Sequence, residues 1–241
     1  TDGLAEFNNY LSSEIKFIRG IELTCLADDI KCHILGYGIN PDCKELKELI
    51  QKGKKLRRIK LDKRIQYLKE VWNIELTREE RDWLYTRKSP VKTHLANILV
   101  NRGLADENIP AMKKYLDDCK TGNTRFNGKE AIDVIKKSGG LVVWAHPLGG
   151  EGEEHISEEI LLSRLNKMKS FGIDGLECYY SRYSKEEIQF LSETAKKNNL
   201  YISGGSDYHG TNKDIPIGRL NKDDDEVDSS KLTILKSPLF G

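Results

Sequence analysis

From Gly128 onward the chain alternates helix and strand with short glycine-marked links, and this rhythm restricts the fold more than any other feature. Residues 129–137 carry a helical pattern, and Gly139-Gly140 leads into the apolar run Leu141-Val142-Val143-Trp144-Ala145. A helix over 157–170 precedes a strand over 175–179, and a helix over 184–198 precedes a strand over 200–203. Strands separated by helices join through right-handed crossovers into a parallel sheet. In such folds ligands sit at the carboxyl ends of the strands. Upstream, residues 2–18 read as a helix with Leu4, Phe7, Leu11, Ile15 and Ile18 on one face, and 21–24 and 33–37 read as short strands.

Between these parts the texture changes. From Lys44 to about Leu104, apolar residues such as Leu46, Leu49, Leu56, Ile65 and Leu68 recur at helical spacing. A further helix is expected over 110–120. Residues 51–64 hold eight basic side chains and one acid, in a chain whose whole net charge is only +1. The expectation is a discontinuous α/β domain, 1–44 and 128–241, interrupted by a helical insertion over 45–127. No global field drives such a protein onto nucleic acid or a membrane. A hydrophobic content of 38% excludes wholesale disorder, and no apolar run is long enough to span a bilayer. Five cysteines without a CxxC pair suggest reduced thiols in a cytoplasmic protein rather than a disulfide framework.

Three of the five histidines fall at strand ends or just past them. His146 follows the strand over 141–145, His33 opens the strand over 33–37, and His209 follows the last strand within Gly204-Gly205-Ser206-Asp207-Tyr208-His209-Gly210. Asp207 and His209, two apart, present a carboxylate and an imidazole to one side of an extended turn. That donor mixture suits Zn, Mn or Fe. Glu22 is an acid between Ile21 and Leu23, where a carboxylate either faces solvent or has a partner. His155, in Glu151-Gly152-Glu153-Glu154-His155, reads as a surface residue of a polar loop.

Taken in order, Gly20-Ile21-Glu22, His33-Ile34-Leu35-Gly36-Tyr37, Ala145-His146-Pro147 and Gly205-Ser206-Asp207-Tyr208-His209-Gly210 resemble the later motifs of the polymerase and histidinol phosphatase (PHP) superfamily. The branch it most resembles comprises small metal-dependent phosphoesterases acting on nucleotides, which carry a helical insertion. The resemblance implies a distorted (β/α)7 barrel and two to three divalent ions. It implies that Glu22 bridges two metals, that His33 and His146 bind the second, that Asp207 binds the first and His209 the third. Glu22, His146, Asp207 and His209 would then carry the chemistry, water attacking phosphorus under metal activation. The family pattern begins with a His-x-His strand and an Asp-His-Asp-like turn, and Thr1-Asp2-Gly3-Leu4 resembles the segment just after that turn. The expectation is therefore a chain without the first strands, impaired in activity and self-associating through its open barrel edge.

The basic insertion has two readings, a solvated helix face or a source of cations for substrate phosphates. Lys54, Arg57, Arg58, Arg64, Lys92 and His94 are the candidates; Lys92-Thr93-His94-Leu95-Ala96 resembles a family segment with a histidine at that point. The reading favours a small phosphate monoester, a nucleotide above others, as substrate. A nucleic-acid polymer is disfavoured because no aromatic residues interleave 51–64. The alternatives are a histidinol-phosphate-like phosphatase and a non-catalytic metal- or nucleotide-binding module.

Overall fold

The computed structural model describes residues 16–87, 90–210 and 215–240. It divides into two compact units, the first built from 1–47 and 126–241 and the second from 48–125. The helix expected over 2–18 lies almost wholly outside the described residues, and Lys16–Arg19 form no regular element.

The first unit holds a six-stranded sheet of β1 (Gly20–Ala27), β2 (Ile30–Tyr37), β3 (Phe126–Asn127), β4 (Leu141–Ala145), β5 (Gly175–Tyr180) and β6 (Tyr201–Gly205), in the order β3-β1-β2-β4-β5-β6. The expected alternation is present from β4 onward, where β4, β5 and β6 run parallel. The sheet as a whole is mixed, because β2 runs antiparallel to both β1 and β4. The reason is local. Asp28-Asp29 joins β1 to β2, and Asp28 takes a positive φ of 55°, which Asp tolerates better than most residues. Two residues can close a hairpin but cannot make a crossover. Among the described residues the strands form an open sheet edged by β3 and β6, not a closed ring.

The helices of this unit are α5 (Gly128–Lys137), α6 (Glu158–Phe171) and α7 (Lys185–Lys197). Their caps are written in the sequence. Asn127, Ser157 and Ser184 each accept a backbone N–H of the first turn, and Ser184 completes a capping box with Glu187. α5 buries Ala131, Ile132 and Ile135 against the sheet face that carries Cys25, Ile34, Val142 and Trp144. On the other face, Val143 packs with Ile234 and Phe240 of the C-terminal segment. That segment covers the apolar lower half of this face, and the polar upper half holds the site described below.

The second unit is helical: most of α1 (Lys44–Trp72), then α2 (Arg78–Thr86), α3 (Lys92–Asn101) and α4 (Asn108–Tyr115). Its core gathers Leu61, Leu68, Leu84, Leu95, Leu99 and Leu116. No helix among the described residues is long and apolar enough to cross a membrane.

Candidate metal centre

Strand register brings the first three side chains together. His33 pairs with Thr24 on one side and with Ala145, the last residue of β4, on the other. Glu22 lies two residues before Thr24 on the same face of β1. Its Oε1 is 2.7 Å from His33 Nδ1 and 3.7 Å from His146 Nε2. The imidazoles of His33 and His146 meet edge to face with centroids 4.9 Å apart. His146 is buried and has a φ of 27°, so the chain leaves β4 in a sparsely populated conformation that turns its ring into the cluster.

Two and four residues past β6, Asp207 and His209 close the other side. Asp207 has a φ of 55°, and its Oδ1 is 3.1 Å from His209 Nδ1. Two donor groups result, Glu22 with His33 and His146, and Glu22 with Asp207 and His209, each with donor atoms within 4.8 Å of one another. Glu22 belongs to both. Carboxylate oxygen and imidazole nitrogen at this spacing fit a divalent ion of the first transition row or zinc.

The electrostatics are those of a site that gathers negative charge. Burial would raise the Glu22 carboxyl, but the nearby His146 imidazole and the hydrogen-bonded His33 hold it well below the usual carboxylate range. Burial would likewise lower His146, and is outweighed by Glu153, Glu22 and Glu177, which hold it up at about 10.

Two carboxylates escaped the sequence reading. Glu177 is a buried acid on β5 whose Oε2 accepts the His146 backbone N–H at 2.8 Å. Its signal was the one that marks Glu22, an acid inside an apolar strand. Gly205 lies close beside it: a Cβ there would stand 2.9 Å from Glu177 Oε1. Glu153 comes from the polar loop after β4, with Oε2 3.1 Å from His146 Nδ1 and Oε1 3.8 Å from His33 Nε2. His155 of the same loop is exposed and pairs with Glu187 at 2.9 Å.

Burial first, then the charges of Glu22 and Asp207, push Glu177 up to about 7, against the pull of His146. A carboxyl raised above its unfolded value of 4.5 contributes stability that is present below that value and lost as pH rises through about 7. Glu177→Gln keeps an oxygen for the His146 N–H and cannot ionise. Chelator-treated Glu177→Gln is expected to gain roughly 2 kcal/mol over the parent at about pH 8 and little at about pH 5. Thermal unfolding at the two pH values reads this, and an equal gap at both would refute it.

The candidate cations of the second unit are spread over different roles. Arg58 stacks 3.4 Å over the Tyr85 ring, and Tyr85 donates to Asp62 at 2.7 Å. His94 Nδ1 accepts the Val91 N–H at 3.0 Å and so caps its own helix. Burial, then the Arg87 charge, lowers the His94 pKa. Lys54 and Arg57 lie exposed on α1. Arg64 and Lys92 both act on Lys60, as does Arg125; the sequence reading passed over Lys60 and Arg125. Lys60 is lowered by burial and then by the charges of those three neighbours. Lys92 also pairs with Asp117.

No protein-family model matches the chain. It is 27% identical over 208 residues to the 5'-3' exoribonuclease Rnm of Escherichia coli, covering 85% of this chain and 69% of that protein. It is 26% identical over 216 residues to a 3',5'-nucleoside bisphosphate phosphatase of Chromobacterium violaceum, covering 87% and 73%. Among solved structures, a candidate metal-dependent phosphoesterase of Bifidobacterium adolescentis superposes with a TM-score of 0.73 at 21% identity, over 97% of this chain and 80% of that one.

Proposed function

We infer that the chain is a metal-dependent phosphoesterase of the PHP type, hydrolysing a phosphate ester of a nucleotide. The observation that carries this is Glu22, whose carboxylate belongs to both donor groups and so can bridge two ions. Glu22, His33 and His146 would hold one ion, and Glu22, Asp207 and His209 would hold another or share it with a third. Manganese, zinc or iron suits these donors. Held by these residues, divalent ions would supply Lewis acidity, lowering the pKa of a water and offsetting charge on the phosphoryl oxygens.

The remaining work falls to the chain itself. Glu22 keeps its negative charge because the His146 ring stands 3.7 Å away and His33 bonds to it at 2.7 Å. Tyr180 donates to Asp207 Oδ2 at 3.3 Å and restrains that carboxylate. In the second unit the charges of Arg64, Arg125 and Lys92 act on Lys60, and a phosphate group would offset them. We assign them to substrate phosphate, with Lys54, Arg57, Arg58 and His94 as the remaining candidates. Removing one such donor costs about 1.5–3 kcal/mol. Lys92→Ala is therefore expected to raise KM roughly tenfold or more with little change in kcat, read from steady-state phosphate release. An unchanged KM would remove Lys92 from the substrate site.

A second reading, trimming of an RNA end, is favoured by aromatic faces that lie beside cations in the same unit. Arg58 covers Tyr85, and Arg87 sits 4.3 Å over Trp83. Bases stack on such surfaces. The aromatic residues come from α2 and not from the basic run of α1, which is why the run alone argues against a polymer. Assay with Mn²⁺ against nucleoside monophosphates, a nucleoside 3',5'-bisphosphate and a 5'-phosphorylated oligoribonucleotide decides between the readings. Phosphate release from the small esters supports the first, and mononucleotides released from RNA support the second. A metal-loaded protein inactive on all of them would be a binding module.

A further inference from the structure

The loop after β4 is built against His146 with more care than an exposed polar turn requires. It is tied at several points to β5 and the residues that follow it. Tyr183 Oη accepts the Leu148 N–H at 2.9 Å, and Tyr180 Oη accepts the Glu151 N–H at 3.2 Å. Arg182 pairs with Glu151 at 2.5 Å. Within the loop the Gly150 N–H donates to Glu153 Oε2 at 2.8 Å, which sets the direction of that carboxylate. Gly150 presses so closely on the imidazole that a Cβ there would stand 2.7 Å from His146 Nδ1.

The two nitrogens of His146 therefore face different groups. Nε2 points toward Glu22, the shared carboxylate of both donor groups. Nδ1 is buried and makes no well-aligned hydrogen bond, and the group that stands against it is Glu153 at 3.1 Å. Glu153 itself is not in either donor group. An imidazole that binds a metal through one nitrogen commonly gives its other N–H to a carboxylate, which fixes the tautomer and the ring orientation.

We propose that Glu153 is a positioning residue of this centre: it accepts the Nδ1 proton of His146 and so fixes Nε2 as the nitrogen presented beside Glu22. The proposal rests on the metal reading of Glu22, His33 and His146. Because Glu153 sits on a loop outside the core, its replacement leaves the fold intact, which circular dichroism of each variant checks.

The test uses the full chain, stripped with chelator, and Mn²⁺ titrated by calorimetry. Glu153→Ala is expected to weaken Mn²⁺ binding by about 10–100-fold. Glu153→Gln should keep most of the affinity, since its amide oxygen still accepts from Nδ1. In the Zn²⁺-loaded protein, ¹⁵N shifts of His146 should report a protonated Nδ1 in the parent and in Glu153→Gln, and a loss of that single state in Glu153→Ala. Unchanged affinity and unchanged His146 shifts in Glu153→Ala would overturn the proposal alone. Equal losses in Glu153→Gln and Glu153→Ala would also overturn it, because charge and not hydrogen bonding would then be what matters. A parent protein that takes up neither ion would overturn the metal reading, and this proposal with it.

Discussion

His146→Asn is expected to lower both metal uptake and turnover by on the order of 10³-fold. Asparagine is the informative replacement, because it tolerates the positive φ of 27° that this position imposes. It also keeps a backbone N–H for Glu177, which accepts that bond at 2.8 Å. What it removes is the imidazole between Glu22 and Glu153. Two consequences follow. The first donor group falls from three members to two, so an ion there loses a ligand worth several kcal/mol. Each 1.36 kcal/mol is a factor of ten. The three carboxylates that held His146 protonated are also left facing one another without that cation. Like charges brought together without a cation between them destabilise the fold. The metal-free variant should therefore unfold at lower temperature as well. Bound-metal stoichiometry after dialysis against Mn²⁺ and phosphate release under saturating substrate are the two measurements. A variant that keeps the parent's metal content and turnover would remove His146 from the reactive centre.

What could be seen in the sequence was whatever depends on neighbours along the chain. The crossover rhythm after Gly128 is local, and its helices and strands appear where the pattern puts them. Glu22, His33, His146, Asp207 and His209 stand out because polar residues with metal-binding donors are conspicuous at the ends or edges of apolar strands, and the structure brings all five side chains into two overlapping groups. Glu177 was visible by the same sign and could have been found. Glu153 could not. It lies in a run of acids with no periodicity, on a loop held in place by hydroxyls of Tyr180 and Tyr183, some thirty positions later. The antiparallel setting of β2 hung on Asp28-Asp29, a two-residue link that outweighs the parallel rhythm of the rest. The basic run shows the limit from the other side. Composition reports how many cations there are, but only packing shows that Arg58 lies over Tyr85, that His94 accepts a backbone N–H of its own helix, and that Lys60 feels the charges of Arg64, Arg125 and Lys92.

Leu68→Ala is expected to cost the second unit about 2–5 kcal/mol while leaving metal affinity as it was. Leu68 is fully buried in the helical core with Leu61, Leu84 and Leu99, so truncation leaves a cavity that a helix as long as α1 can close only in part. The donor atoms of both metal groups belong to residues of the first unit. Nothing in their geometry calls on Leu68, and mutations without shared partners act independently. The tryptophans allow the two effects to be separated. Trp72 and Trp83 report on the second unit, and Trp144 on β4 reports on the first. With Trp144→Phe as background, fluorescence during thermal unfolding should show the second unit melting earlier in Leu68→Ala, by several degrees for each kcal/mol lost in a unit of this size. Mn²⁺ titrated below that transition should bind with the parent's affinity. Turnover should hold below the transition and fall through it if the cations of the second unit bind the substrate phosphate. A loss of Mn²⁺ affinity while both units remain folded would mean that the metal centre draws on residues outside the first unit.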